Sequence, residues 1–199
     1  MRRRQLLKSG IGVAGLAFVS GCSDIELGIG ENDEFDDSDP DAMLPSEERV
    51  LEVLEGNWVR EDPDSIDEPL VDDANAASQY HRSSDDPDIT EYVEDDPRIE
   101  TPGEVTIGIW IYDDAGGAQG AYEDHPDQRR GFEITDVADE SIVGTGGPSG
   151  DFPQARVLFR DANAVGWVSY RNVDIDSIEL YEMTAIDLAE ATHEQWREE

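Results

Sequence analysis

Glu104-Val-Thr-Ile-Gly-Ile-Trp-Ile-Tyr112 is the stretch of this 199-residue chain that decides the fold. Its aliphatic residues fall on alternate positions, at Val105, Ile107, Ile109 and Ile111. An alternation with a period of two places these side chains on one face of an extended segment and the others on the opposite face. The stretch therefore predicts a strand with its isoleucine face buried.

The residues on either side of this strand predict further short elements. Arg156–Arg160 and Val165–Tyr170 are two apolar runs joined by turn-forming residues at Asp161-Ala-Asn163, as in a β-hairpin. The stretch between the first strand and this hairpin predicts a helix over Asp113–His125 and two short strands over Phe132–Val137 and Ser141–Gly144.

The end of the chain predicts a long helix from about Asp176. One face of it carries the apolar side chains together with a threonine: Ile178, Tyr181, Ala185, Leu188, Ala189, Thr192 and Trp196. Strands and helices do not alternate regularly, and several links are too short for a parallel crossover. We therefore expect an α+β fold, in which an antiparallel sheet has helices packed on one face and a long C-terminal helix.

The preceding part of the chain completes one predicted domain over residues 45–199. Ser46 is placed to cap a short helix that Gly56 ends, and Asn57–Arg60 follows as a strand. Residues 61–103 are rich in Asp and Pro, and within them we predict a helix over Val71–Tyr80 and a short strand over Ile89–Val93.

Residues 22–44 predict an acidic, disordered tether. Glu31–Asp41 contains seven carboxylates and a single aromatic residue. A segment of this composition buries too little apolar surface to offset its loss of chain entropy. We expect it to hold the domain at a distance from its anchor.

One calcium candidate overlaps the tether. Asp37, Asp39 and Asp41, followed by Glu48, have the spacing of half an EF-hand loop. Ala42 stands where such a loop needs glycine, and no helix enters before Asp37. The sequence therefore favours a solvated acidic segment over a metal site.

The charge of the chain excludes several classes of function. It has 49 acidic and 14 basic residues, a formal charge of −35. Four of the basic residues lie within the first 21 positions, so the remainder carries ten arginines, no lysine and a charge of about −39. This composition resembles that of proteins from extreme halophiles, above all haloarchaea. It argues against binding to nucleic acid and against attachment to an anionic membrane surface through a polybasic patch of the protein.

The first 22 residues resemble an export signal peptide. Two arginines, an apolar pair and a lysine follow the order of the twin-arginine motif, at Arg3, Arg4, Leu6, Leu7 and Lys8. The apolar stretch over Ile11–Val19 is far shorter than the ~20 residues that span a bilayer, and its length matches a signal peptide. The resemblance implies that the twin-arginine export machinery recognises residues 1–21.

Val19-Ser-Gly-Cys22 resembles a lipobox, with Val in place of the usual Leu. Cys22 is the only cysteine of the chain, so an internal disulfide is excluded. The resemblance implies lipidation of Cys22 and a protein held by lipid on the extracellular face of the membrane. Together with the composition, the signal peptide resembles that of a haloarchaeal twin-arginine-exported lipoprotein of uncharacterised function.

Catalytic motifs are approached in three places and completed in none. Gly147-Pro-Ser149-Gly-Asp151 lacks the last glycine of a hydrolase elbow, His193–Arg197 lacks the second histidine of a zinc protease, and Gly144–Ser149 lacks the third glycine of a dinucleotide loop. We predict no catalytic residue and no cofactor. A non-enzymatic domain that binds a ligand or an envelope protein is favoured, and the alternative is an extracellular hydrolase-like enzyme without a recognisable motif.

Four aromatic residues form the candidate binding patch. Those of the first strand lie opposite its isoleucine face, and the others lie in the hairpin: Trp110, Tyr112, Trp167 and Tyr170. Aromatic rings on an exposed strand can stack on a sugar or another ligand, and the alternative is that they pack within the core.

The order of the predicted elements and the Phe159-Arg-Asp-Ala-Asn163 hairpin resemble the sandwich domains of secreted mycobacterial and haloarchaeal lipoproteins. The resemblance covers residues 45–199. It implies the same α+β architecture and an extracellular location.

Overall fold

The computed structural model describes most of the chain beyond residue 33. The described residues are 34–35, 39–62, 65–66, 68, 71–89, 101–146, 154–173 and 177–198. They belong to one compact unit, Asn32–Glu199. The predicted lipidation site and the predicted export signal lie outside the described residues.

Within the described ranges, the sheet has seven antiparallel strands: β1 Trp58–Arg60, β2 Ala76–Arg82, β3 Gly103–Ile111, β4 Glu133–Ile134, β5 Glu140–Thr145, β6 Ala155–Asp161 and β7 Ala164–Asn172. Their order in the sheet is β1-β2-β3-β7-β6-β5-β4. The described helices that pack against it are α1 Glu47–Val53, α2 Ala115–Asp124 and α3 Ile178–Glu198, and the 3₁₀ helices Pro40–Met43 and Pro126–Arg130 accompany them.

The isoleucine strand predicted from the sequence is β3, an inner strand of this sheet next to the central β7. It pairs with β2 on one side and with β7 on the other, where Ile107 lies opposite Val168. The predicted hairpin is β6–β7, and Asp161 pairs with Ala164 at its end. Ala162 turns the chain there with a φ of 46°, in the left-handed region. The α+β class with a long C-terminal helix is confirmed.

Helices cover both faces of the sheet. On the isoleucine face, α1 and α3 share one apolar core with the strands, and Tyr181, Leu188 and Trp196 of α3 are buried there. On the opposite face, α2 packs Ala118 and Tyr122 against Leu158 and Trp167 of the hairpin. The expectation that helices pack on one face describes α1 and α3, and α2 adds a second layer.

The predicted helix over Val71–Tyr80 is wrong, because this part of the chain contains β2. Ser78 of β2 pairs with Ile107 of β3, and Tyr80 pairs with Val105. Burial of alternate side chains against the central strand outweighs the helical spacing of the local apolar residues. Ile178 is a second correction, since it begins α3 but is 57% exposed. Of the strand predicted over Ile89–Val93, only Ile89 is described, and it lies in a turn.

The expected boundary between tether and domain also changes. The sequence placed residues 22–44 in the tether, but Met43 and Leu44 are buried in the main core. Phe35 packs its ring 5.5 Å from that of Trp196, and its backbone N–H donates to Oδ1 of Asn163 at 2.7 Å. These apolar side chains belong to the domain although acidic residues surround them in the sequence.

The helix predicted after Pro45 is α1, and Ser46 caps it as expected. The Ser46 hydroxyl accepts a hydrogen bond from the Arg49 backbone N–H at 3.3 Å. Within the described part of the chain, every helix is too short or too polar to cross a membrane.

Candidate functional site

The predicted aromatic patch is divided between the two faces of the sheet. Trp110 and Tyr112 are half-buried on the face that carries α2. Trp167 lies on the same face but is completely buried. Tyr170 lies on the other face, where its ring packs near those of Trp58 and Tyr181. The patch of four is therefore wrong, because residues 167 and 170 are three positions apart in one strand and point to opposite sides.

Trp110 and Tyr112 line an open groove of about 260 Å³ beside α2. The other described residues that line it come from the segment before β2, from α2 and the turn that follows it, and from β7: Asp73, Ala121, His125, Pro126 and Val165. Two aromatic rings with a few polar groups are a composition typical of small-molecule sites.

The Trp110 ring is held in place from two sides. Its Nε1–H donates to Oδ1 of Asp73 at 3.0 Å. Its six-membered ring lies against Gly108, where an added Cβ would stand 3.0 Å from Trp110 and 2.5 Å from Cγ1 of Val71. The bare glycine thus lets the indole lie close to the strand. These contacts give the ring one orientation before any ligand arrives.

Tyr112 is positioned through its backbone by Asn163 in the hairpin turn. The Tyr112 N–H donates to the backbone carbonyl of Asn163 at 2.9 Å, and Nδ2 of Asn163 donates to the Tyr112 carbonyl at 2.8 Å. The same amide also holds Phe35, so one side chain joins the start of the domain to the groove. Burial raises the pKa of Tyr112, and the Asp73 carboxylate raises it further.

His125 closes one end of the groove between α2 and the second 3₁₀ helix. Its Nδ1 accepts a hydrogen bond from the Asp127 backbone N–H at 3.2 Å. Burial lowers the pKa of His125, and the charges of Arg156 and Arg130 lower it further against the opposing effect of Asp127. The imidazole at the groove is therefore neutral at pH 7.

A buried carboxylate adjoins the groove. Asp127 is 1% exposed, and its Oδ1 accepts from Arg130 at 3.0 Å and from Arg156 at 3.2 Å. Its Oδ2 accepts from Nε1 of Trp167 at 3.0 Å. The Arg156 guanidinium also lies 5.8 Å from the Trp167 ring. This cluster fixes the turn that carries His125 onto the sheet.

The predicted calcium ligands do not come together among the described residues. Asp37 lies outside them, and the described acids and histidines form no group of three able to hold a metal ion. Asp39 and Asp41 flank Pro40 at the start of the first 3₁₀ helix, which ends on buried Met43. A chain that packs its own apolar residue here does not form the open loop of an EF-hand.

The alternative of a hydrolase has one feature in its favour, a paired aspartate and histidine. Nε2 of His193 lies 2.6 Å from Oδ2 of the buried Asp161, which also bonds Arg197. Burial alone would raise the pKa of Asp161, but these two partners hold it below its usual range. Among the described residues, no serine, threonine or cysteine hydrogen-bonds His193.

Four residues at or beside the groove were not among the site residues predicted from the sequence: Asp73, His125, Asp127 and Arg156. The sequence contained one indication for Arg156. Leu158 pairs with Trp167, and Arg156 is two residues from Leu158, so Arg156 and Trp167 lie on the same face of the sheet. A buried arginine needs a carboxylate partner, and Asp127 lies in the segment that precedes β5 and β6. Asp73 and His125 give no such signal, since they come from connections whose paths depend on the folded sheet.

The comparisons with known proteins support the fold. No family model matches the chain, and no curated protein matches it. Among solved structures it is similar to the extracellular domain of PknH from Mycobacterium tuberculosis, with a TM-score of 0.56 and 10% identity over 84% of this chain and 100% of that one. A Bacteroides thetaiotaomicron protein gives a TM-score of 0.38 and 10% identity over 65% of this chain and 39% of its own, too low to support an argument.

Proposed function

We propose that the chain is a lipid-anchored domain on the outer face of a halophile's cell membrane and that it binds a small ligand without catalysis. The groove between Trp110, Tyr112 and His125 is the observation that carries the binding function. Its walls are held by hydrogen bonds before a ligand is present, which reduces the entropy lost on binding. The fold is one that an extracellular domain also adopts.

The location rests on the first 22 residues. The pair Arg3-Arg4, the short apolar stretch and the single cysteine at position 22 occur in the order that export and lipidation require. The twin-arginine route carries folded cargo, which suits a chain whose acidic composition favours folding in a salt-filled cytoplasm. The anchor and the domain together place a ligand site at the cell surface.

Replacing Cys22 with Ser is expected to remove the lipid anchor. The wild-type protein should remain with membranes through washes in high salt and leave them in detergent, whereas the variant should be neither lipidated nor cleaved to mature size. Membrane fractionation and the mass of the processed chain are the measurements. An Arg3→Lys and Arg4→Lys double variant should accumulate as precursor inside the cell. A Cys22→Ser protein that is processed and anchored as the wild type is would contradict the proposal.

Replacing Trp110 with Leu is expected to abolish ligand binding in the groove. A fragment screen by ligand-observed NMR in 3 M KCl should yield small ring compounds that bind the wild type and bind the variant at least tenfold more weakly. The reason is the loss of a rigid aromatic surface, while a leucine keeps part of the apolar contact. Ile134→Ala is the control, since Ile134 is 87% exposed on a distant edge strand. A screen without hits, or hits that bind both proteins alike, would overturn the binding function.

A further inference from the structure

We propose that the groove beside α2 recognises a small organic cation, of the quaternary ammonium class, held against Trp110, Tyr112 and Asp73. This inference rests on the proposed binding function and goes further by assigning the charge and chemical class of the ligand. Three properties of the groove support it: the sign of its charge, the nature of its walls and its size.

The charge at the groove is negative. Among the described residues that line it, Asp73 alone is formally charged at pH 7, because the imidazole of His125 is neutral there. Oδ1 of Asp73 accepts the hydrogen bond from the Trp110 Nε1–H, and Asp73 is exposed at the rim of the groove. Its Oδ2 has no hydrogen-bond partner among the described residues. A ligand cation at this rim gains a carboxylate contact that an uncharged ligand does not.

The neighbouring arginines do not cancel this charge within the groove. Arg130 and Arg156 hydrogen-bond the Asp127 carboxylate, and neither is among the described lining residues. The buried Asp127 carboxylate between them offsets part of their charge, and the Debye length of about 3 Å in molar salt weakens what reaches the solvent-filled part of the groove. Asp73 touches the groove and these guanidiniums do not, which leaves a local preference for cations.

The walls offer aromatic rings to the cation. A cation within about 6 Å of the centre of a tryptophan or tyrosine ring is attracted by the negative ring face, and groups of aromatic rings recognise quaternary ammonium in this way. Trp110 and Tyr112 line the same groove, and the Asp73 carboxylate is close enough to Tyr112 to raise the pKa of its phenol. The Nε1–H on the edge of the Trp110 ring donates to that carboxylate, so this polar group is not available to a ligand.

The size of the groove favours a compact ligand. Its volume of about 260 Å³ lies just below the ~300–1,000 Å³ range of sites for drug-sized molecules. A tetraalkylammonium group with a short substituent fits this space. A sugar of comparable size needs several hydrogen-bond partners. Apart from the Trp110 N–H, which already donates to Asp73, the described polar side-chain groups here are one carboxylate, one phenol and one imidazole.

The test compares choline with 3,3-dimethyl-1-butanol, its uncharged carbon isostere, as probes of the full-length protein. Titrations in 3 M KCl at pH 7, followed by NMR, measure both affinities. We expect choline to bind at least tenfold more tightly than the isostere. The Trp110→Leu variant should lose choline binding by a similar factor.

Asp73→Asn isolates the charge, because asparagine keeps an acceptor for the Trp110 N–H. It should weaken choline binding three- to tenfold and leave binding of the isostere unchanged. Asp72→Asn is the matched control, because it removes the same charge from the neighbouring residue. Asp72 is exposed and is not among the described residues that line the groove. It should change neither affinity.

The outcomes separate this inference from the binding function. Equal affinities for the two probes, or an Asp73→Asn effect no larger than that of Asp72→Asn, would overturn the assignment of a cation. If fragments of the screen bind through Trp110 while choline does not, the cation is wrong and the groove function stands. If choline and every fragment fail to bind, both are wrong.

Discussion

Transfer of the protein from 3 M to 0.05 M KCl at pH 7 is expected to unfold the domain cooperatively and reversibly. The chain after residue 21 carries about −39 charges, and the Debye length grows from about 3 Å in molar salt to between about 10 Å at 0.1 M and about 30 Å at 0.01 M. A domain has only about 5–15 kcal/mol of net stability, and unscreened repulsion among so many carboxylates can exceed it. Circular dichroism and tryptophan emission measure the transition.

The pH dependence of this transition has two parts of opposite sign. Lowering the pH to about 4–5 at low salt protonates ordinary exposed carboxylates and should partly replace the salt, because it removes repulsion. Asp86 and Asp161 act in the other direction. Burial tends to raise the pKa of each, but hydrogen bonds and arginine partners hold both below the usual value.

Because the pKa of each carboxylate is lower in the folded state than in the unfolded state, both carboxylates stabilise the fold at pH values above the pKa of the unfolded state. This contribution is lost as the pH falls through the pKa of the folded state. Stability at low salt should therefore pass through a maximum in mild acid and fall again below about pH 4. A fold unchanged at 0.05 M KCl and pH 7 would show that repulsion does not determine its stability, and would argue against a halophilic origin.

Replacing Asp127 with Ala is expected to cost about 3–5 kcal/mol of unfolding free energy, the typical effect of removing one partner from a buried ion pair. Arg156 is 5% exposed and would keep its charge without a carboxylate, and the completely buried Trp167 would lose the acceptor for its indole N–H. Urea denaturation at constant 3 M KCl measures the loss. Asp127→Asn, which keeps an acceptor oxygen, should lie between Asp127→Ala and the wild type.

Glu140→Ala is the matched control for this cluster. Glu140 accepts from Nε of Arg160 at 2.8 Å, but the Glu140 side chain is 40% exposed, and Arg160 keeps a second hydrogen bond to the Ala162 carbonyl when the pair is broken. Its loss should cost no more than about 1 kcal/mol. If the Asp127 and Glu140 variants lose similar stability, the buried carboxylate does not hold the groove region together as described.

The sequence predicts the centre of this fold well because the centre is made of regular alternation. The isoleucines of β3 repeat every second residue, as in a strand, and the apolar residues of α3 repeat with the period of a helix. The turn at Asp161–Asn163 is recognisable from its turn-forming residues. β2 was missed because its pattern of burial depends on pairing with β3, which no local spacing reveals. Phe35 was missed because a single apolar residue among carboxylates forms no periodic pattern from which burial could be predicted.

The candidate site was predicted only in part, for a related reason. Trp110 and Tyr112 follow from the alternation of β3, and the same alternation separates Trp167 from Tyr170. Asp73 and His125 meet these rings from connecting segments, and their approach depends on the packing of α2 against the sheet. Contacts between remote segments require the assembled fold, so a carboxylate beside Trp110 could not be read from the sequence.

The two outermost strands of the described sheet, β1 with three residues and β4 with two, bear on how copies of the domain behave when crowded. An edge strand exposes unpaired backbone groups that can recruit a neighbouring chain into a continuous sheet, and a longer edge gives a stronger template. Concentrated salt weakens the electrostatic repulsion that would otherwise keep copies apart. Edge strands this short offer few backbone groups for another chain to pair with. The sheet therefore opposes polymerisation even in concentrated salt, where electrostatic repulsion between copies is screened.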